Sequence, residues 1–190
     1  MSLWLARHAL PLVAPGTCYG VTDMAADAQL TLQAARALAL ELPPSVAVRV
    51  SPLKRCQQLA QALQAERRDL QCVTDMRLRE MDFGTWEGVA WSDIPRAAID
   101  AWNADFAQHR FGGQESANEV LTRVASAWDD VQPLQETLWV AHSGIAQAAS
   151  LLQRGIRHIG QAADWPLSTL RYGECLRFEN LQSGAGVLSL

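Results

Sequence analysis

An arginine and a histidine, Arg7 and His8, stand side by side at the end of the short apolar run "LWLA" (3–6). A second histidine, His142, follows the run "TLWVA" (137–141) and opens the turn His142-Ser143-Gly144. Arg55 comes shortly after a third run, "VAVRV" (46–50), in the first turn of a helix that Ser51 and Pro52 suit as a start. In an open α/β sheet, ligands bind outside the carboxyl ends of the strands. Three separate segments thus deliver two guanidinium groups and two imidazoles to one edge. Helix N-termini at that edge add unpaired amides and the positive end of a dipole, which favour an anion. Arginine's planar fork matches phosphate oxygens, so phosphate is the natural candidate. The segment "LREMDFGTWEG" (78–88) offers a proton donor. Its aromatics and glycines make an ordered loop, and a carboxyl held there against apolar rings can serve as general acid. Glu80, Asp82 and Glu87 all fit that role by residue type.

The elements that must position these groups follow from pattern. Each apolar run passes through a polar or small-residue turn into a helical stretch, and that alternation predicts a mostly parallel, doubly wound α/β sheet. After "VAVRV" comes "LKRCQQLAQAL", and after "TLWVA" comes "IAQAASLL". The Ala- and Leu-rich stretch 31–42 predicts a helix that stops at Pro43-Pro44. In 92–107, Ala98, Ile99, Trp102 and Phe106 recur at helical spacing, with Ser92 and Pro95 fitting the start. Ser116-x-x-Glu119 is a capping-box pattern ahead of Val120, Leu121, Val124 and Trp128. The tail "ECLRFENLQSGAGVLSL" reads as two strands around a Gly-rich turn, giving the sheet an antiparallel C-terminal edge. The expectation is a three-layer α/β/α fold, with residues 1–190 as one domain.

Bulk composition narrows the function. Hydrophobic residues make up 49% and charged residues 19% of 190 residues, an ordinary globular balance. The net charge of −4 disfavours a nucleic-acid or anionic-membrane binder, while a local arginine cluster can still take a small anionic substrate. The N-terminus lacks a basic leader and no run reaches the roughly 20 apolar residues of a membrane span. Cys18, Cys56, Cys72 and Cys175 are scattered with no CxxC pair, which points to thiols in a reducing compartment, with the cytoplasm as default. The seven tryptophans read as core and pocket walls. A serine hydrolase is disfavoured because "AHSGI" lacks the GxSxG glycines, and a dinucleotide module because no GxGxxG follows the first strand.

Taken together, the motifs resemble the histidine phosphatase superfamily, the phosphoglycerate mutase-like fold. Its "RHG" motif is matched by Arg7-His8-Ala9, its Ser-Pro-linked arginine by "SPLKR" and so Arg55, its acid segment by "EMDFGTWEG" and so Glu80, and its second histidine turn by His142-Ser143-Gly144. "GGQES" (112–116) is similar to the family's Gly-Glu-Ser substrate loop, and "CYGVTD" (18–23) with "MDFGTWEG" looks closest to α-ribazole phosphatases of cobalamin assembly. The resemblance implies that a neutral His8 attacks phosphorus to form a phosphohistidine, which water hydrolyses. Arg7, Arg55 and a protonated His142 would stabilise the transferring oxygens, and Glu80 would protonate the leaving group. It implies a small-molecule phosphomonoester as substrate, α-ribazole 5′-phosphate first, with no metal and no cofactor. Tyr19, Asp23, Trp86, Glu115 and Ser116 become candidate substrate contacts; taken alone, Tyr19 reads as a packing aromatic, Asp23 as a turn residue, Glu115 as a loop charge and Ser116 as a helix cap. The chain departs from the family pattern at Ala9 (usually glycine), Ala14 (often asparagine) and Gln147 (often arginine). A broad-specificity phosphatase, a mutase and a phosphate-binding pseudoenzyme are the alternatives.

Overall fold

The computed structural model describes residues 2–132, 134–168 and 170–179. Among them, five strands form one sheet in the order β3-β2-β4-β1-β5. These are β1 (Ser2–Arg7), β2 (Ala47–Val50), β3 (Cys72–Thr74), β4 (Thr137–Ala141) and β5 (Cys175–Glu179). β1 pairs in parallel with β4, β4 with β2, and β2 with β3, whereas β5 runs antiparallel to β1. The three apolar runs are therefore the three central strands. All five residues of β4 are buried, as a strand covered on both faces requires.

The alternation of side chains along those strands divides the interior in two. Leu3, Leu5, Trp139 and Ala141 point to one face, where they meet α4 (Ala117–Asp129) and α5 (Ser143–Gln153). Ala6, Val48, Val50, Leu138 and Val140 point to the other, against α1 (Ala28–Glu41) and α2 (Lys54–Glu66). The result is the expected three-layer α/β/α arrangement. A third apolar cluster, around Cys18, Ile94 and Phe111, sits under the long connection from β3 to α4, which also carries α3 (Arg96–Ala104).

Helix ends match local chemistry. The Asp27 side chain accepts from the Leu30 amide at the start of α1, and Ser116 with Glu119 forms the anticipated capping box on α4. Two segments differ from expectation. The stretch 92–107 begins with a 3-10 turn at 91–93, and its α-helix spans only Arg96–Ala104, so Phe106 lies beyond the helix. β3 has no counterpart in the sequence pattern, because three residues are too few to show a period. The predicted second strand of the tail lies outside the described residues.

Candidate active site

The carboxyl ends of β1, β2 and β4 converge as the doubly wound topology demands. β1 ends at Arg7 with His8 following, β4 is followed by His142, and α2 brings Arg55 from the β2 side. The rings of His8 and His142 lie 5.1 Å apart, edge to face. Both imidazoles and Arg55 are buried, with Arg55 and His142 at 0% exposure and His8 at 1%, so Arg55 is no surface helix residue.

The hydrogen bonds define His8's tautomer. Nδ1 lies 2.7 Å from the Ala9 carbonyl, which can only accept, so Nδ1 carries the proton. Nε2 accepts from Arg55 Nε at 3.2 Å and therefore holds the lone pair. Burial, reinforced by the Arg55 cation, pushes the His8 pKa down to about 3, so the ring is neutral and nucleophilic at neutral pH. Ala9 is itself buried, and its methyl sits in the core beside the nucleophile.

Arg55 is held from three sides. Besides His8, it donates to the Thr22 carbonyl at 2.8 Å and the Gly20 carbonyl at 2.5 Å. That loop is in turn tied to Glu87, whose carboxylate accepts from the amides of Gly20, Val21, Thr22 and Phe83 at 3.0–3.1 Å and from the Thr22 hydroxyl. Burial opposes the charge on Glu87, but the Thr22 hydroxyl and these amides outweigh it and hold its carboxyl below the ordinary range. Glu87 is thus a structural clamp and not a proton donor. Asp82 is similarly engaged, accepting from the Gly84 amide at 2.8 Å.

Glu80 is the remaining carboxyl, and it faces the cavity. Its Oε2 accepts from the Gly144 amide at 3.1 Å, bridging the 78–88 segment to the second histidine turn. A Cβ at position 144 would run into Glu80 Oε1, so only glycine lets the carboxylate approach the start of α5.

His142 is buried against a hydroxyl partner. Its Nε2 lies 2.8 Å from Ser51 Oγ, and burial, with Arg55 and His8 nearby, drives its pKa well below the ordinary value. These surroundings favour the neutral ring of His142 at neutral pH. An anion beside the ring would favour its protonated form.

Next to these groups opens a cavity of about 570 Å³. Arg7, Tyr19, Glu80, Ser143 and Gln147 line it along with the apolar side chains of Met81, Phe83, Trp91, Trp102, Phe106 and Trp165. Arg7 Nε and Ser143 Oγ, in two of these lining residues, are buried with no hydrogen-bond partner, the unmet polar capacity that a bound oxyanion would satisfy. Among the described residues, no group of three or more His, Cys, Asp and Glu side chains is placed to hold a metal ion. No helix there is long and apolar enough to cross a membrane.

The other candidates divide. Tyr19 reaches the cavity; Asp23, Trp86, Glu115 and Ser116 do not line it. Asp23 accepts from the Lys54 amide at the start of α2, and Trp86 packs on Phe111. Glu115 is buried in bonds to Arg123, 2.7 Å away, and to Arg79 and the Asp82 amide. Ser116 is the cap of α4. In this structure all four are engaged by neighbouring backbone, rings or ions. Gln147, at the position where the family often has arginine, donates to the Pro166 carbonyl at 2.6 Å. Sequence reasoning missed Tyr172, and it missed the contact that Ser51 of the "SPLKR" motif makes with His142. Tyr172 belongs to none of the motifs and is placed by the pairing of β5 with β1.

A match across residues 3–170 to the model of the histidine phosphatase superfamily (branch 1) joins this geometry. The chain belongs to the histidine phosphatase superfamily. Solved structures agree with its phosphoglycerate mutase-like fold. The mycobacterial glucosyl-3-phosphoglycerate phosphatase superposes with a TM-score of 0.73 at 25% identity, covering 93% of this chain and 88% of that one. TTHB049 from Thermus thermophilus superposes with a TM-score of 0.70 at 25% identity, covering 93% and 92%. Among curated proteins, one named "Putative phosphoserine phosphatase 2" from Hydrogenobacter thermophilus is 38% identical over 91 residues, 45% of each chain. The chain thus spans less than half the length of that relative.

Proposed function

We propose that this histidine phosphatase hydrolyses phosphomonoesters through a phosphohistidine on His8, without a metal ion, and that its substrate carries a flat, uncharged ring system, with α-ribazole 5′-phosphate as the leading candidate. The cavity wall carries the substrate reading. Six aromatic residues, Tyr19, Phe83, Trp91, Trp102, Phe106 and Trp165, line a space in which Arg7 is the one cation among the described lining residues. If Arg7 binds the phosphate, no second cation remains among the described lining residues for another anionic group. A carboxylate on the alcohol part, as in phosphoserine or a phosphoglycerate, would lose its hydration there without an ion partner.

In the mechanism, the Nε2 lone pair of His8 attacks phosphorus as the P–O ester bond breaks. Glu80 gives its proton to the departing alkoxide oxygen. Arg7 and Arg55 balance charge on the transferring oxygens, and His142 takes up a proton as the dianion arrives. Water then attacks the phosphohistidine, Glu80 accepts its proton, and the P–N bond electrons return to Nε2. Because Arg55 Nε donates to that lone pair, an incoming phosphate must draw the guanidinium onto its own oxygens first.

The test is a comparison of kcat/KM for α-ribazole 5′-phosphate, phosphoserine and glucosyl-3-phosphoglycerate. An unpaired carboxylate in the aromatic cavity predicts a preference of about 100-fold for the first. Equal or greater turnover of phosphoserine would overturn the substrate reading and leave the phosphatase reading standing.

A further inference from the structure

Two tyrosines that belong to none of the catalytic roles above meet between the two site arginines, one of them beside the nucleophile. Tyr172 lies in the turn before β5 and Tyr19 in the connection from β1 to α1, yet their hydroxyls are 2.8 Å apart. Each ring also sits against one of the two site arginines. The Arg7 guanidinium carbon is 3.9 Å from the centre of the Tyr172 ring, and that of Arg55 is 5.6 Å from the centre of the Tyr19 ring. The Tyr172 ring is 5.7 Å from the His8 ring.

The topology explains the placement. β5 runs antiparallel to β1 and pairs Cys175 with Ala6, so the residues just before β5 fall at the carboxyl end of β1. The backbone there makes three bonds to the site. Arg7 Nη1 donates to the Leu170 carbonyl at 2.6 Å, the Gly173 amide to the His8 carbonyl at 3.1 Å, and the Arg7 amide to the Glu174 carbonyl at 3.0 Å. The 170–174 turn is therefore anchored to Arg7 and His8 by main chain, while the Tyr172 side chain alone spans to Tyr19. Tyr172 is partly exposed and His8 is not.

We propose that Tyr19 and Tyr172 form a two-sided gate over His8: each ring positions one phosphate-binding arginine, and the hydroxyl–hydroxyl bond between them must part for a phosphoryl group to enter or leave. This rests on Arg7, His8 and Arg55 being the phosphate site. The stacked guanidinium groups keep their forks pre-oriented, since a cation over an aromatic face is held without losing its hydrogen-bonding edge. The bond between the hydroxyls is a single neutral one, strong enough to hold the gate shut at rest and weak enough to open on the timescale of turnover.

The experiment is stopped-flow binding of inorganic phosphate, followed by the fluorescence of the cavity tryptophans Trp91, Trp102 and Trp165. The release rate is read independently from the ³¹P line width of free phosphate. In the native protein the observed binding rate should level off at high phosphate, the plateau being gate opening. Tyr19→Phe and Tyr172→Phe each remove one oxygen and keep the ring, so each should raise the plateau and the release rate about fivefold to tenfold. Tyr172→Leu, which also removes the ring over Arg7, should weaken phosphate binding about tenfold beyond the effect of Tyr172→Phe. A native rate that rises linearly with phosphate, or a plateau and release rate that both Phe variants leave unchanged, would overturn the gate while leaving the phosphate site intact. Failure of the native protein to bind phosphate at all by calorimetry would instead overturn the phosphate site, and the gate with it.

Discussion

At the scale of single residues, the site depends on which groups are already spent on structure. Three carboxyls compete in the 78–88 segment, and residue type does not separate them. Bonds do: Glu87 closes the 20–22 loop, Asp82 holds the Gly84 amide, and Glu80 alone faces the cavity. Gly144 is the counterpart of Glu80, because its missing side chain admits the carboxylate. Gly144→Ala should push Glu80 out of line with the leaving oxygen. Since the clash is with the end of a flexible side chain, the melting temperature should hardly move while kcat falls by about 100-fold, the contribution of a positioned general acid. Steady-state kinetics beside thermal melts check this; a large loss of stability with kcat retained would mean that Gly144 serves packing and not Glu80.

At the scale of elements, the sequence read well wherever period and length were sufficient. The three apolar runs became the central strands β1, β2 and β4, and the edge where they end became the site. The same pattern was silent on β3, which is short and half-exposed, and on the reach of the Tyr172 turn, which depends on the register of β5 against β1. The aromatic cavity was only partly legible. Trp102 and Phe106 appeared through helical spacing, but Trp165 enters from beyond α5, held near Gln147 through the Pro166 carbonyl. Asp23, Trp86, Glu115 and Ser116 lie in the motifs but not in the cavity lining. Proximity in a motif does not say which way a side chain turns, and all four turn toward neighbouring backbone, rings or ions.

At the scale of the whole molecule, burying two imidazoles links folding to pH. For His8 the folded pKa is about 3, and His142 is also well below its ordinary value. Unfolding releases both rings to water, where they titrate near 6.5. Between that pH and the folded values the unfolded chain binds more protons, so stability rises with pH and falls as the solution is acidified. Each ring can contribute a slope of up to about 1.4 kcal/mol per pH unit within that window. Urea melts between pH 7 and 4 should therefore show falling stability, and His8→Asn should flatten the slope by about one histidine's share. An unchanged slope in the variant would mean that His8 is not held neutral by the fold. Bound phosphate should offset the loss, because its negative charge favours the protonated rings and it binds only the folded chain.

The chemistry stands or falls on whether His8 Nε2 becomes covalently phosphorylated during turnover. That is read by mixing the protein with a ³²P-labelled phosphomonoester, quenching in alkali within the first turnovers, and locating the label by peptide mass spectrometry. We expect an acid-labile, base-stable label on the peptide carrying His8, absent in His8→Ala together with phosphatase activity, and formed undiminished in the presence of EDTA. Phosphate release at the native rate by His8→Ala, or turnover with no label on His8, would contradict it.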